Sequence, residues 1–305
     1  MIDLYLPVAN MSVNVLVIVL LGGMVGILSG MFGVGGGFLT TPLLIFYGIP
    51  PTVAAASAAS QVTGASVSGM IAQWQRGGVD TRMGAVLVAG GVVGSALGAV
   101  LFEWLQRLGQ IDAVILLLYL VMLGSIGTVM LRESLSSVRA QRSGTAIPTR
   151  KRGHHPIILA LPLRWRFYRS GLYMSPLAPF GLGIITGMMT MLLGVGGGFI
   201  MVPAMLYILG MGAQVVVGTS LFQILFTTIA TTMIHSVTTR AVDIVLALLL
   251  LIGGVVGAQI GSRLAMKANP AKLRLGLAIL VLLVAIRMLL GLVWRPDEIF
   301  AIQWL

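Results

Sequence analysis

Gly33-Val34-Gly35-Gly36-Gly37-Phe38 is written twice in this chain, returning as Gly194-Val195-Gly196-Gly197-Gly198-Phe199. The match runs outward from the glycines. Pro42 meets Pro203 at the same offset of 161 residues, and one insertion later Ser57-Ala58 and Gln61 fall opposite Thr219-Ser220 and Gln223. After one more insertion, Gly90-Gly91-Val92-Val93-Gly94 is identical to Gly253-Gly254-Val255-Val256-Gly257. Self-similarity on this scale predicts a duplication of about half the protein, far longer than a solenoid repeat. The expected organisation is a first repeat over 1–131, a basic connection over 132–175 and a second repeat over 176–305.

Composition sets the class. Hydrophobic residues make up 58% of the 305 and charged residues 9%, and mean hydropathy is +1.04. A soluble domain is nearer a quarter charged, so the chain reads as an all-α polytopic membrane protein. The chain has no cysteine, which excludes a disulfide framework and thiolate chemistry. A net charge of +11 would suggest nucleic acid in a soluble protein, but nine of the 19 Lys and Arg residues lie between Arg132 and Arg169. That concentration reads as a cytoplasmic loop facing anionic headgroups rather than a nucleic-acid face. With no Lys or Arg before the first apolar run, the N-terminus lacks the positive region of a cleavable signal, and 13–31 is expected to stay in the mature protein.

Long apolar spans are predicted at about 13–31, 51–75, 83–104 and 111–131, then 176–193, 213–236, 241–266 and 271–294. A short apolar segment follows each glycine motif, at 38–48 and 199–211. Asp3 without a base places the N-terminus outside, the connection with Arg150-Lys151-Arg152 inside, and the tail with Asp297 and Glu298 outside. These assignments agree only if each half crosses an odd number of times, five with the short segment counted. The halves are then inverted repeats, each with four long helices and one short broken helix. Inverted repeats with interrupted helices mark secondary transporters, with the substrate at the repeat interface. The segment Leu163-Arg164-Trp165-Arg166-Phe167-Tyr168-Arg169 suits the headgroup level or an unstructured linker.

A run of glycines before a short helix can turn without a Cβ clash and present successive N–H groups, an anion site that needs no side chain. Gly35, Gly36 and Gly37, with Gly196, Gly197 and Gly198, are the substrate candidates on this ground; close helix packing is the structural alternative. No Gly-Lys-Ser/Thr follows, so neither copy is a phosphate-binding loop of the nucleotide type. Ser57, Ser60, Gln61, Gly64 and Ser68 share a helical face, and Thr219, Ser220 and Gln223 lie on their counterpart, continuing through Thr227 and Thr231 to His235. Gln61 and Gln223 can donate to anion oxygens without carrying charge; helix–helix hydrogen bonding is again the alternative. His235 is the candidate for proton handling or a helix cap, and Arg287 is expected to snorkel outward. No carboxylate lies deep in a span, which favours uncoupled movement of an anion. No metal, cofactor or nucleophile set is expected, and the chain does not read as an enzyme.

The doubled glycine motif, with a proline four residues after each Phe, resembles the sulfite exporter TauE/SafE family of membrane permeases. The resemblance covers both halves outside 132–175. It implies transport of sulfite, sulfonates or related sulfur-containing anions across a bacterial inner membrane. Import of such anions, or a receptor or scaffold without transport, are the other readings.

Overall fold

The computed structural model describes residues 3–32, 37–142, 165–265 and 270–293. The first half begins with a hairpin, β1 (Asp3–Leu6) and β2 (Met11–Asn14), followed by α1 (Val15–Phe32), α2 (Gly37–Phe46), α3 (Pro51–Gln75), α4 (Thr81–Arg107) and α5 (Ile111–Arg142). The second half repeats the order: β3 (Trp165–Phe167), β4 (Leu172–Met174), α6 (Leu177–Leu193), α7 (Gly198–Tyr207), α8 (Ala213–Val237), α9 (Ile244–Ala265) and α10 (Pro270–Val293). Each α-helix of the first half therefore has its counterpart five numbers later.

The helices match the apolar runs, with two differences. First, α5 continues to Arg142, well past the end of its apolar run and into the basic connection. Second, α4, α5, α8, α9 and α10 are long and apolar enough to cross a membrane, whereas α1, α2, α6 and α7 are apolar but shorter. The 25-residue α3 has the length, but its serines, threonines and glutamines dilute its hydropathy. Pro42 and Pro203 sit inside the short helices α2 and α7. A proline there leaves the carbonyl four residues earlier, on Phe38 or Phe199, without its intrahelical N–H.

A hairpin stands at 165–174 where an unstructured linker was one expectation, and a second forms at the N-terminus. Both are antiparallel, Leu6 pairing with Met11 and Phe167 with Leu172. Their alternation turns one face inward. Leu6 and Val13 join Leu44, Val53, Leu246 and Leu250 in one core, while Phe167, Leu172 and Met174 join Met83, Leu87, Met201 and Met205 in its counterpart. Residues 143–164, half of the basic connection, lie outside the described residues.

The chain forms two compact units, Met1–Ile115 with Thr149–Ala268, and Leu116–Pro148 with Asn269–Leu305. In the second, α5 meets α10, where a Cβ on Gly127 would come within 3.0 Å of Leu282. In the first, helices of opposite halves pair reciprocally: α1 with α9, α4 with α6, and α3 with α8. The glycines of the identical pentapeptides make the first two seams. Gly26 faces Gly254 and Gly30 faces Ala258; Gly94 faces Ile184 and Gly187 faces Gly91, in each case so closely that a Cβ would strike backbone. Backbones approach this closely only where both surfaces are small. Residue numbers rise together along both seams, so these pairs are parallel. Between α3 and α8 they run in opposition: Thr63 donates to Thr228 Oγ1 at 2.8 Å and Ser60 to Thr232 Oγ1 at 3.5 Å.

Candidate functional site

The second glycine motif links the C-terminus of α6 to the N-terminus of α7. Gly194 ends α6 in the left-handed region at φ 70°, its N–H bonded to Thr190 O at 2.8 Å. Gly196 and Gly197 follow with φ of 73° each. A side chain costs roughly 1–2 kcal/mol in that conformation, which is why glycine occupies it. The consequence is a run of buried residues, 195–199, whose backbone N–H groups donate no hydrogen bond to any described residue. Buried backbone donors without partners are rare. Here they coincide with the positive end of α7, a helix with no side-chain cap.

The two motifs touch. A Cβ on Gly37 would lie 2.6 Å from Gly194 O and 3.1 Å from Val195 O, and Thr41 Oγ1 donates to Leu193 O at 3.1 Å. Phe38 and Phe199 stack with centroids 4.4 Å apart and planes within 5°, so the first turns of α2 and α7 meet ring to ring. Val62 lies against both Gly37 and Gly196, and Ile224, its counterpart in α8, against Gly196. Of the glycine candidates, Gly37, Gly196, Gly197 and Gly198 are buried at this junction; Gly35 and Gly36 lie outside the described residues.

Gln61 and Gln223, equivalent by duplication and both buried, are used differently. Gln61 Oε1 accepts from Thr40 Oγ1 at 2.6 Å, and its Nε2 donates to Gly22 O at 3.4 Å. The position matching Thr40 in α7 is Met201, which offers no hydroxyl. Gln223 Nε2 donates to Thr227 Oγ1 at 3.1 Å, and Gln223 Oε1 has no partner among the described residues. One amide of the pair is thus closed and the other half open.

The profile of the family described as Sulfite exporter TauE/SafE matches residues 18–288. The chain belongs to the TauE/SafE family. It is 26% identical over 278 residues to a probable membrane transporter protein of Xylella fastidiosa (strain Temecula1 / ATCC 700964), covering 90% of this chain and 93% of that one. It is 25% identical to the probable membrane transporter protein YjnA of Bacillus subtilis (strain 168), covering 89% and 98%. No solved structure matches it. The protein is a multi-pass membrane transporter of this family.

In this TauE/SafE member the remaining polar candidates bond within the protein. Ser57 Oγ accepts from Asp243 N at 3.2 Å and Thr219 Oγ1 from Asp80 N at 3.0 Å, while Ser220 Oγ donates to Val217 O. The side chain of Ser68 lies outside the described set. The buried His235 ring is held on both nitrogens. Nε2 lies 2.9 Å from Met191 O, which can only accept, so Nε2 carries the proton; Nδ1 lies 3.0 Å from Thr239 Oγ1. Arg287 is exposed, as snorkelling requires.

Neither Asp80 nor Asp243 is among the sequence candidates, yet both are buried and do equivalent work. Asp80 accepts from Met83 N at the start of α4, and from Ser170 N and Oγ in the β3–β4 turn at 3.0 and 2.6 Å. Asp243 accepts from Val245 and Leu246 N at the start of α9, and from Val8 N in the β1–β2 turn at 3.0 Å. The signal was available: 243 minus 80 is 163, the offset that aligns the identical pentapeptides.

Proposed function

We propose that this permease moves small anions through the junction of the two glycine motifs, with sulfite, sulfonates and related sulfur-containing anions as the leading substrates and outward flux as the leading direction. The observation that carries the reading is the run of buried amides at 195–199 that have no partner among the described residues. Such donors stabilise negative charge without a fixed cation, so a site built from them releases its ligand readily. Gln223 Nε2, which donates one N–H to Thr227, has a second to offer an anion, whereas its open Oε1 can only accept. The family's description, which names sulfite export, supports the substrate class. An inverted relation of the halves is supported by the antiparallel run of the equivalent helices α3 and α8 and by the reciprocal seams. Transporters so built bind substrate where the repeats meet.

Flux in proteoliposomes tests the reading, using sulfite, alkylsulfonates and carboxylates under a potassium-diffusion potential. Anion efflux should follow the potential, which contributes about 2.3 kcal/mol per charge per 100 mV, and should persist without a sodium or pH gradient. Absence of flux for every anion in the panel would defeat the transport reading. Uphill accumulation driven by a proton or sodium gradient at zero potential would overturn uncoupled movement and direct attention to His235.

A further inference from the structure

The two hairpins share a fold and a way of being held, but they differ in charge. At the second, the guanidinium of Arg82, from α4, lies over the Tyr168 ring at 5.1 Å from its centroid and that of Arg166 at 5.8 Å. Attraction to a ring face does not use up a guanidinium's N–H donors. Neither arginine has a carboxylate partner among the described residues, where the ion pair is Arg107 with Glu103. Asp80 beneath them is committed to Ser170 and Met83. Arg169 is committed too, donating to Gly77 O and Val79 O.

Beside this cluster lies a recess of about 440 Å³, lined by Arg166, Phe167, Tyr168, Gly171, Leu172 and Tyr173. Around it Trp165, Tyr168 and Tyr173 expose 55%, 69% and 58% of their surface. Exposed amphipathic rings of this kind sit at the headgroup level of a bilayer. The duplication supplies an internal control. At the offsets of 163 and 161, Arg82, Arg166 and Tyr168 correspond to Val245, Tyr5 and Pro7. The first hairpin is clasped by Asp243 without any of the three, so the shared architecture does not require them.

We infer that Arg82 and Arg166, set around Tyr168, form a binding site for the phosphate of an anionic phospholipid. Two guanidinium edges beside a recess suit a phosphodiester's paired oxygens, and the surrounding rings suit the glycerol and upper acyl region. The site is separate from the glycine junction and does not depend on the nature of the transported anion.

Native mass spectrometry of the full-length protein, titrated with phosphatidylglycerol or phosphatidylcholine, tests it. R82Q/R166Q should bind phosphatidylglycerol about tenfold more weakly than the parent and retain one fewer such lipid. Phosphatidylcholine, whose choline cation opposes the two guanidiniums, should bind the variant and the parent alike, which also reports that the variant is folded. R107Q/R263Q removes equal charge from other exposed positions and should behave as the parent. R82K/R166K keeps the charge without the planar fork and should recover only part of the loss. Equal phosphatidylglycerol retention by R82Q/R166Q and the parent would overturn the site, as would equal loss in R107Q/R263Q. Displacement of the lipid by millimolar glycerol 3-phosphate or inorganic phosphate would assign the site to soluble phosphates and overturn its assignment to lipid.

Discussion

At the scale of single residues, equivalence by duplication does not mean equivalence of role. Gln61 bridges Thr40 and Gly22, so Gln61→Leu should lower the thermal unfolding transition in detergent, at about 1 kcal/mol per lost hydrogen bond. Gln223 makes one hydrogen bond, to Thr227, and leaves its carbonyl oxygen unsatisfied, so Gln223→Leu should lower that transition less than Gln61→Leu and, by removing an amide donor, should weaken anion binding about three- to tenfold. Equal behaviour of the two variants in both assays would remove the distinction. A second pair isolates the cradle from backbone strain. Gly77 and Gly197 have φ of 69° and 73°, but only Gly197 has a close neighbour, Thr186, at 2.9 Å from where a Cβ would be. Alanine at Gly77 should cost about 1–2 kcal/mol of stability; Gly197→Ala should cost more because its Cβ meets Thr186, and it alone should also reduce flux in proteoliposomes. The glycine junction was legible because anion-ready backbone has a composition of its own and this one is repeated. The division of labour between the glutamines was not, since it turns on Thr40 and Met201, which differ between the copies and meet the amides only in three dimensions.

At the scale of elements, helices were legible and strands were not. A membrane helix writes some twenty apolar residues in a row, whereas β1 has four residues and β3 three. What specifies each hairpin is a distant carboxylate on the other half, and no local pattern shows that. The extension of α5 to Arg142 was missed for a related reason, since beyond the apolar run its charged residues read as loop. Asp243 serves three backbone amides, those of Val8, Val245 and Leu246, in a buried setting. Asp243→Ala should therefore cost on the order of 3 kcal/mol, whereas Asp112→Ala, at the exposed start of α5, should cost under about 1 kcal/mol. Thermal unfolding of the two variants decides whether the clasp or a generic helix-end charge matters. The seams make a further contrast. Gly94→Val would drive a side chain into the backbone of α6 and should abolish the folded protein, while a Cβ on Gly181 or Gly276 meets nothing within 4 Å. Alanine at those two should be neutral or stabilising by up to about 1 kcal/mol.

At the scale of the whole molecule, the duplication read from the sequence predicts a topology that labelling can check. The chain has no cysteine of its own, so single cysteines can be introduced without further change. Tyr5 and Tyr173 each expose 58% of their surface on equivalent hairpins. If the halves are inverted, an impermeant thiol reagent reaches Tyr5→Cys from outside intact cells and leaves Tyr173→Cys unlabelled until the membrane is opened. Labelling of both from one side would rule out inversion. The glycine seams also set a timetable for synthesis. From Gly22 to its partner Leu250 is 228 residues of chain, and at ribosomal rates of about 5–20 residues per second α9 follows α1 by roughly 10 to 45 s. For that interval the narrow glycine face of α1 lacks the helix whose backbone it packs against in the folded protein, leaving room there for lipid or a chaperone of the insertion machinery. A nascent chain truncated before α9 should thus be a preferred substrate for membrane quality-control proteases, and the seam that closes last is also the one first begun.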